Sequence, residues 1–498
     1  MKVFLLHGDR DGAPDASPPP NRHDLTQDLE LDTLFDAMAA EDEFLRDIVP
    51  RVVFASLSEP EEIRYRQQVL ADCVANPAVV RDLYAIAVDA RRVERKVWFG
   101  ILSRESPEHI LHRSVKILEY LVENLRQLRQ IAAEHAGAFD SPGFRRFFAM
   151  LQEELDDDYF ALVGNHLKEL EFPHGVLMSA ELGAGNRGVR YGLHRVPHRG
   201  WLERIAGSSP PSYGFTVPAR DEAGARALGD LQDQGLNVVA NALAQSADHV
   251  KSFFHVLRAE LAFYLGCLNL HERLSAKGAP CCFPEPRPGT DVALTARGLY
   301  DVCLALRSRE PVAGNDVDAD GASLVLITGA NQGGKSTFLR SCGTAQLMLQ
   351  AGMFAPAGSL RADVCTGLFT HFKREEDDTM TKGKLDEELA RMSEIADRIR
   401  PGGQLLCNES FASTNEAEGS ELARRVIRAL TESGVKVLFV THLYDLGRSL
   451  HEQHRDDMLF LRAERGQTYR LAEGEPLPTS YGADSYRRVF APATGSDG

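Results

Sequence analysis

The 498 residues carry a formal net charge of −16, which excludes a polycation that coats nucleic acid and confines any such contact to a local basic surface. A chain of this length holds roughly two to four domains with ample cores. The eight cysteines are scattered without zinc-ligand spacing, so reduced thiols are expected, and no stretch approaches the ~18 apolar residues of a membrane span; a cytoplasmic protein without membrane contact follows.

The apolar run at Met1–Gly8 is too short for a signal peptide. Residues 9–24 are rich in Asp, Gly, Pro and Ser, and residues 1–24 are expected to form a flexible N-terminal segment. Helical patterning begins near Leu25 and continues to about Phe172. Ser106-Pro107 reads as an N-cap followed by proline at the first helical position, with Leu111, Val115, Leu118, Val122 and Leu125 recurring behind it. A further helix is expected from about Gly143 to Glu171, ended by Pro173.

From about 176 to 215 glycines become frequent and short β-type alternation replaces the helical period. Arg187, Arg190, Arg195, Arg199 and Arg204 cluster there. They are either a nucleic-acid-facing patch or solvated and paired arginines on a hairpin. Residues 237–275 return to helix, with Leu243, Ala247, Val250, Phe254, Leu257, Leu261, Tyr264 and Leu268 forming a seam spaced by fours and threes. That seam requires another long helix along it, from residues 80–171. Residues 25–277 are therefore expected to be an elongated, mostly α-helical core/lever domain with a small β-containing insertion.

The Pro/Cys/Gly-rich stretch 278–291 reads as a linker. From 292 to 490 strands, glycine turns and helices alternate, the pattern of an α/β domain; residues 491–498 read as a flexible tail. The clearest stretch of the chain lies here. An apolar run, Leu324–Thr328, reads as a buried parallel strand. It leads into Gly329-Ala-Asn-Gln-Gly-Gly-Lys-Ser-Thr337, which contains G-x-x-x-x-G-K-S, and a helix follows to about Ala351. Glycines let backbone N–H groups turn inward around phosphate oxygens, and the helix N-terminus adds partial positive charge. Lys335 can reach the β- and γ-phosphates, and the Ser336 hydroxyl can hold Mg²⁺. This is the pattern expected of a P-loop NTPase domain. A second strand, Gln404–Cys407, runs into Asn408-Glu409. Glu409 can polarise an attacking water, and Asn408 can orient a metal-bound water but brings no charge. A third strand, Val435–Val440, ends at Thr441-His442, where a histidine can contact the γ-phosphate.

These residues resemble a known family. Gly329-x-Asn331-x-Gly333-Gly334-Lys335-Ser336-Thr337 is similar to the phosphate loop of the MutS mismatch-repair ATPases, a branch of the ABC superfamily. Gly352–Ala357, Phe372–Asp378, Met392-Ser-Glu394, Thr441-His442 and Ser480-Tyr-Gly482 resemble the family's later segments in the same order, over roughly residues 311–490. The resemblance implies nucleotide binding by Gly329, Asn331, Gly333, Gly334, Lys335, Ser336 and Thr337, Mg²⁺ at Ser336 and Asn408, and catalysis by Glu409 with His442 as the switch histidine. It also implies a homodimer that sandwiches ATP, DNA as ligand, whether duplex, mismatched or branched, and other repair proteins as partners.

The departures are specific. The family's mismatch-reading N-terminal domain has no counterpart, Asn408 replaces an Asp, and Ser410–Asn415 is not glycine-rich. The signature segment aligns with Lys384–Glu388, and the base-stacking aromatic aligns with Val312. An alternative from another class is a nucleotide-gated interaction module without DNA binding, motivated by the acidic charge and the altered signature segment.

Overall fold

The computed structural model describes residues 1–12, 18–97, 106–173, 175–186, 188–195, 214, 216–218, 220–329, 333–374, 383–463 and 468–477. The N-terminal half is built of helices: α1 (Arg22–Asp28), α2 (Leu31–Ala39), α3 (Glu43–Phe54), α4 (Pro60–Ala75), α5 (Pro77–Val97), α6 (Pro107–His135), α7 (Pro142–Glu154) and α8 (Asp157–Leu170). A hairpin of β1 (Leu177–Leu182) and β2 (Gly188–His194) precedes the 55-residue α9 (Glu222–Ala276). Beyond it come β3 (Glu285–Arg287), β4 (Leu294–Leu299), α10 (Val302–Arg307), β5 (Asn315–Asp318), β6 (Leu324–Gly329), α11 (Lys335–Gln350), β7 (Ser359–Asp363), β8 (Leu368–Phe372) and α12 (Lys384–Arg398). The last are β9 (Gln404–Asn408), α13 (Glu416–Glu432), β10 (Lys436–Val440), α14 (Tyr444–His451), β11 (Met458–Ala463) and β12 (Leu471–Glu473). No helix among the described residues is long and apolar enough to cross a membrane.

The chain divides into two compact units. One comprises Met1–Val3, Ala78–Phe139 and Phe144–Arg258; the other comprises Phe4–Pro77, Asp140–Gly143 and Ala259–Gly498. In the first, Ser106 caps α6 as its spacing predicts, its Oγ accepting from the His109 N–H at 3.4 Å. The helix expected from Gly143 to Glu171 is two helices. Asp156 stops the first and starts the second by accepting from the Tyr159 N–H at 2.7 Å, and Asp157 and Asp158 place further negative charge in the first turn of α8. α9 begins fifteen residues before the predicted helix. Its buried Leu236 and Ala240 pack with Leu111 of α6, and Leu243 of the seam joins that cluster. Of the arginine cluster, Arg190 pairs with Glu181 at 3.0 Å and Arg195 with Glu169 at 2.9 Å; Arg187, Arg199 and Arg204 lie outside the described residues.

The second unit holds both larger sheets. Five strands run parallel in the order β11-β6-β10-β9-β8, with β12 antiparallel on the outer edge of β11. A smaller sheet has the order β3-β7-β4-β5. The central strands are fully buried apolar runs, Leu324–Ile327 and Val437–Val440 among them, as a sheet covered on both faces requires. Helix α11 is buried almost all round. Even Gln346 and Gln350 lie inside it, their amides donating to Asp363 O (2.8 Å) and to Leu57 O (3.1 Å) and Cys365 O (2.9 Å). All eight cysteines are free thiols, six of them buried.

Two expectations are corrected here. Residues 1–24 are not a flexible segment throughout. Leu5 and Leu6 are buried, and the Leu5, Leu6 and Gly12 N–H groups donate to the Glu260 carboxylate of α9; residues 13–17 lie outside the described residues. Nor do the compact units part at 278–291, because α1–α4 and the last turns of α9 fall in the unit that carries the sheets. The reason is the blunt end of α11. Its Gln350 carbonyl accepts from Leu57 N–H at 2.8 Å, and its Ala351 carbonyl accepts from the buried Arg66 guanidinium at 3.0 Å. Those carbonyls have no partner within the helix, and the α3–α4 region supplies it.

Candidate nucleotide site

Parallel pairing in register sets the site. Val440 lies beside Asn408, Phe372 lies beside Asn408 on the other side, and Ile327 lies beside Val440. The carboxyl ends of β6, β10 and β9 therefore open at one edge, where open α/β sheets bind ligands. The pairing continues past the strands. Thr441 N–H donates to Ile327 O at 3.0 Å, and Glu409 N–H donates to Val440 O at 2.9 Å. β10, the latest of the three in the chain, lies between β6 and β9.

The phosphate loop leaves β6 at Gly329, whose φ of +119° belongs to glycine; a Cβ there would meet the Ala463 N at 2.8 Å. Asn331 lies outside the described residues. Gly334, with φ +86°, precedes the first residue of α11 in the left-handed region. Gly333, Gly334, Lys335, Ser336, Thr337 and Glu409 all line one cavity of about 660 Å³. Lys335 is 5% exposed, and its Nζ donates to the Gly329 carbonyl at 2.9 Å. Burial holds its pKa below the usual lysine range, partly offset by the Glu409 charge. Such an ammonium gains most from an anion placed against it.

Ser336 Oγ donates to Asn408 Oδ1 at 2.8 Å. Two residues 72 positions apart, both expected at the cation, are thus in direct contact. Hydroxyl and amide oxygens are the hard donors that Mg²⁺ accepts alongside phosphate oxygens and water, so the residues present fit that ion. Glu409 follows at once, with its backbone in the left-handed region at φ +54°. His442 Nδ1 stands 4.0 Å from Glu409 Oε1, and the two side chains keep 45% and 30% exposure. That is too far for a hydrogen bond and leaves both open to solvent or a ligand.

Asn315 and Tyr469, which line this cavity together with Val312, are among the cavity residues that sequence reasoning missed. Asn315 holds the turn at Tyr469 by donating to its carbonyl at 3.2 Å and accepting from Leu471 N–H at 2.7 Å. No local pattern announces either, since they are 154 residues apart and meet only through the edge of the two sheets. The acidic segment Lys384–Glu388 opens α12. Its Glu388 is buried and faces the loop after β9, Oε1 accepting from Ser413 Oγ at 2.8 Å. The segments at Asp377-Asp378 and Ser480–Gly482 lie outside the described residues.

Comparison with known proteins finds one family over both halves of the chain. Residues 58–277 match the family model described as the MutS2 N-terminal domain, and residues 325–486 match MutS domain V. DNA mismatch repair protein MutS of Chloroflexus aurantiacus is 29% identical over 169 residues, which is 33% of this chain and 18% of that protein. MutS protein homolog 4 of Mus musculus is 26% identical over 216 residues, 41% of this chain and 22% of that protein. Endonuclease MutS2 of Gemmatimonas aurantiaca is 26% identical over 403 residues, 76% of this chain and 48% of that protein. The chain spans less than half the length of these curated relatives.

Proposed function

Because this chain belongs to the MutS family, we propose that it is a DNA-binding ATPase of mismatch repair or related DNA repair and recombination, in which nucleotide binding at the phosphate loop drives clamp-like DNA binding by the helices of the N-terminal half. The observation that carries this reading is the Ser336–Asn408 contact at 2.8 Å, in a cavity shared with a buried, anion-seeking Lys335 and with Glu409.

In this reading the loop 329–337 binds the ATP phosphates, and Lys335 exchanges its Gly329 carbonyl for the β- and γ-phosphates. Ser336 and Asn408 would hold Mg²⁺, whose chemistry is to neutralise phosphate charge. Glu409 orients the water that attacks the γ-phosphorus as its bond to the β-phosphate oxygen breaks, and accepts a hydrogen bond from that water. His442 reads the γ-phosphate. Two copies pair as a homodimer, and other repair proteins are partners. A cytoplasmic location fits these roles.

A second reading is a nucleotide-gated interaction module without DNA binding. The net charge of −16 and the pairing of Arg190 and Arg195 with glutamates favour it. Salt-titrated binding to duplex, mismatched and branched DNA, with and without ATP, separates the two. Branched DNA is expected to bind better than a mismatch, with affinity falling steeply as salt rises. No binding to any of the three at low salt, in either nucleotide state, would leave only the second reading.

A further inference from the structure

The turn that carries Glu409 is strained and held from below. Glu409 and Phe411 both sit in the left-handed region, at φ +54° and +63°, where a side chain other than glycine costs roughly 1–2 kcal/mol each. Such backbone persists only where its surroundings over-determine it. The Val440 carbonyl grips the Glu409 N–H from one side. On the other side stands His371 of β8, 0% exposed in the core.

A buried imidazole needs both nitrogens satisfied. His371 Nε2 lies 3.0 Å from the Glu388 carbonyl, so it carries the proton and donates; Nδ1 lies 2.7 Å from Ser410 Oγ, whose single proton is shared between that nitrogen and the His371 carbonyl at 2.8 Å. Burial, reinforced by the Arg391 charge, pushes His371 down to about 4, so the neutral ring with one donor and one acceptor persists at neutral pH. The ring also lies nearly parallel to Phe411, with centroids 5.7 Å apart and planes at 27°. Ser410 is 0% exposed, so the imidazole nitrogen and the backbone carbonyl of His371 are its partners in a closed interior. One side chain thus contacts the residue after Glu409, the residue beyond that, and the Glu388 carbonyl of α12.

We propose that His371 is a positioning residue for the Glu409 carboxylate, acting through Ser410 and Phe411, and that the Glu388 carbonyl of α12 fixes the ring that does so. His371 does not line the cavity, so its effect is on where Glu409 points rather than on nucleotide affinity. This rests on the ATPase reading of Glu409 given above. It ties the helix opened by the acidic segment to the hydrolytic carboxylate, so a movement of α12 at Glu388 reaches the turn of Glu409 through this imidazole, beside the Ser413 contact farther along the same loop.

The test is steady-state ATP hydrolysis with nucleotide binding measured separately. His371→Phe keeps the ring against Phe411 and removes both hydrogen bonds. It is expected to lower kcat on the order of ten- to a hundredfold, the scale of a misplaced catalytic group, with the Kd for ATP within about twofold. Ser410→Ala, a smaller excision, is expected to lower kcat in the same direction, and His371→Gln, which can still donate and accept, to restore most of it. In a Glu409→Gln background His371→Phe is expected to add no further loss, because residues acting as a unit are non-additive. Unchanged kcat in both His371→Phe and Ser410→Ala, or a full additional loss in the Glu409→Gln background, overturns the proposal. A parent chain that binds ATP without hydrolysing it, or a Glu409→Gln chain with unchanged kcat, overturns the ATPase reading beneath it instead.

Discussion

Glu260 gives a test of how the N-terminal residues are held. It is fully buried on α9, and its carboxylate accepts from Leu5 N–H at 2.7 Å and Leu6 N–H at 3.0 Å on one oxygen and from Gly12 N–H at 2.5 Å on the other. Glu260→Ala strands three buried donors at about 1–3 kcal/mol each, so residues 5–12 are expected to lose roughly 3–9 kcal/mol of local stability, with the lower end reached where water enters the space. Glu260→Gln keeps an oxygen for Leu5 and Leu6 but turns an amide donor toward Gly12 N–H, and should cost about 1–2 kcal/mol. The readout is hydrogen exchange of these three amides, converted to opening free energies and compared with sheet amides such as Leu438, because a chain with two compact units has no single unfolding free energy.

The same carboxyl sets a pH dependence. Burial outweighs the three donors and raises Glu260 from 4.5 to about 7. Between those values the folded chain keeps a proton that the opened segment releases. Protection is therefore fully present below about pH 4.5 and falls by roughly 3 kcal/mol as pH rises through about 7, at about 1.4 kcal/mol per pH unit. That slope should vanish in Glu260→Gln. Equal exchange in the parent and Glu260→Ala, or protection that rises between pH 4.5 and 7, would refute the reasoning.

Lys335→Ala removes the one buried ammonium in the described wall of the nucleotide cavity, and ATP binding measured by calorimetry is expected to fall at least a hundredfold; retained affinity would move the phosphates elsewhere. Glu409→Gln is expected to bind ATP normally and hydrolyse it at least a hundredfold more slowly, accumulating the nucleotide-bound dimer in light scattering. Asn408→Asp keeps the acceptor for Ser336 Oγ and adds a charge, so the Mg²⁺ concentration for half-maximal ATP binding should drop several-fold; no change would remove Asn408 from the cation site.

Local sequence was enough for whatever depends on neighbours in the chain. The run Leu324–Thr328, the glycines after it and Lys335-Ser336 need only each other to make a strand, a turn and a helix start, and β6 and α11 follow them closely. The Ser106-Pro107 cap and the strands at 404 and 435 are legible for the same reason. The break at Asp156 is written in three consecutive aspartates, yet the expected helix runs across it to Glu171. The family resemblance, too, rested on one uninterrupted motif and the order of later ones.

Tertiary structure alone decided whatever needs two distant segments to share a low-dielectric interior. A composition rich in Asp, Gly and Pro reads as loose, yet a carboxylate 248 residues away gathers Gly12 and the amides before it, because burying that charge is tolerable only with donors around it. His371 reads as one more strand residue until its nitrogens meet Ser410 and Glu388, and Tyr469 reads as a loop aromatic until Asn315 brackets it beside the phosphate loop. Period and propensity report which side of an element faces inward. They do not report which polar group on another element will be waiting there, and the nucleotide site depends on that pairing.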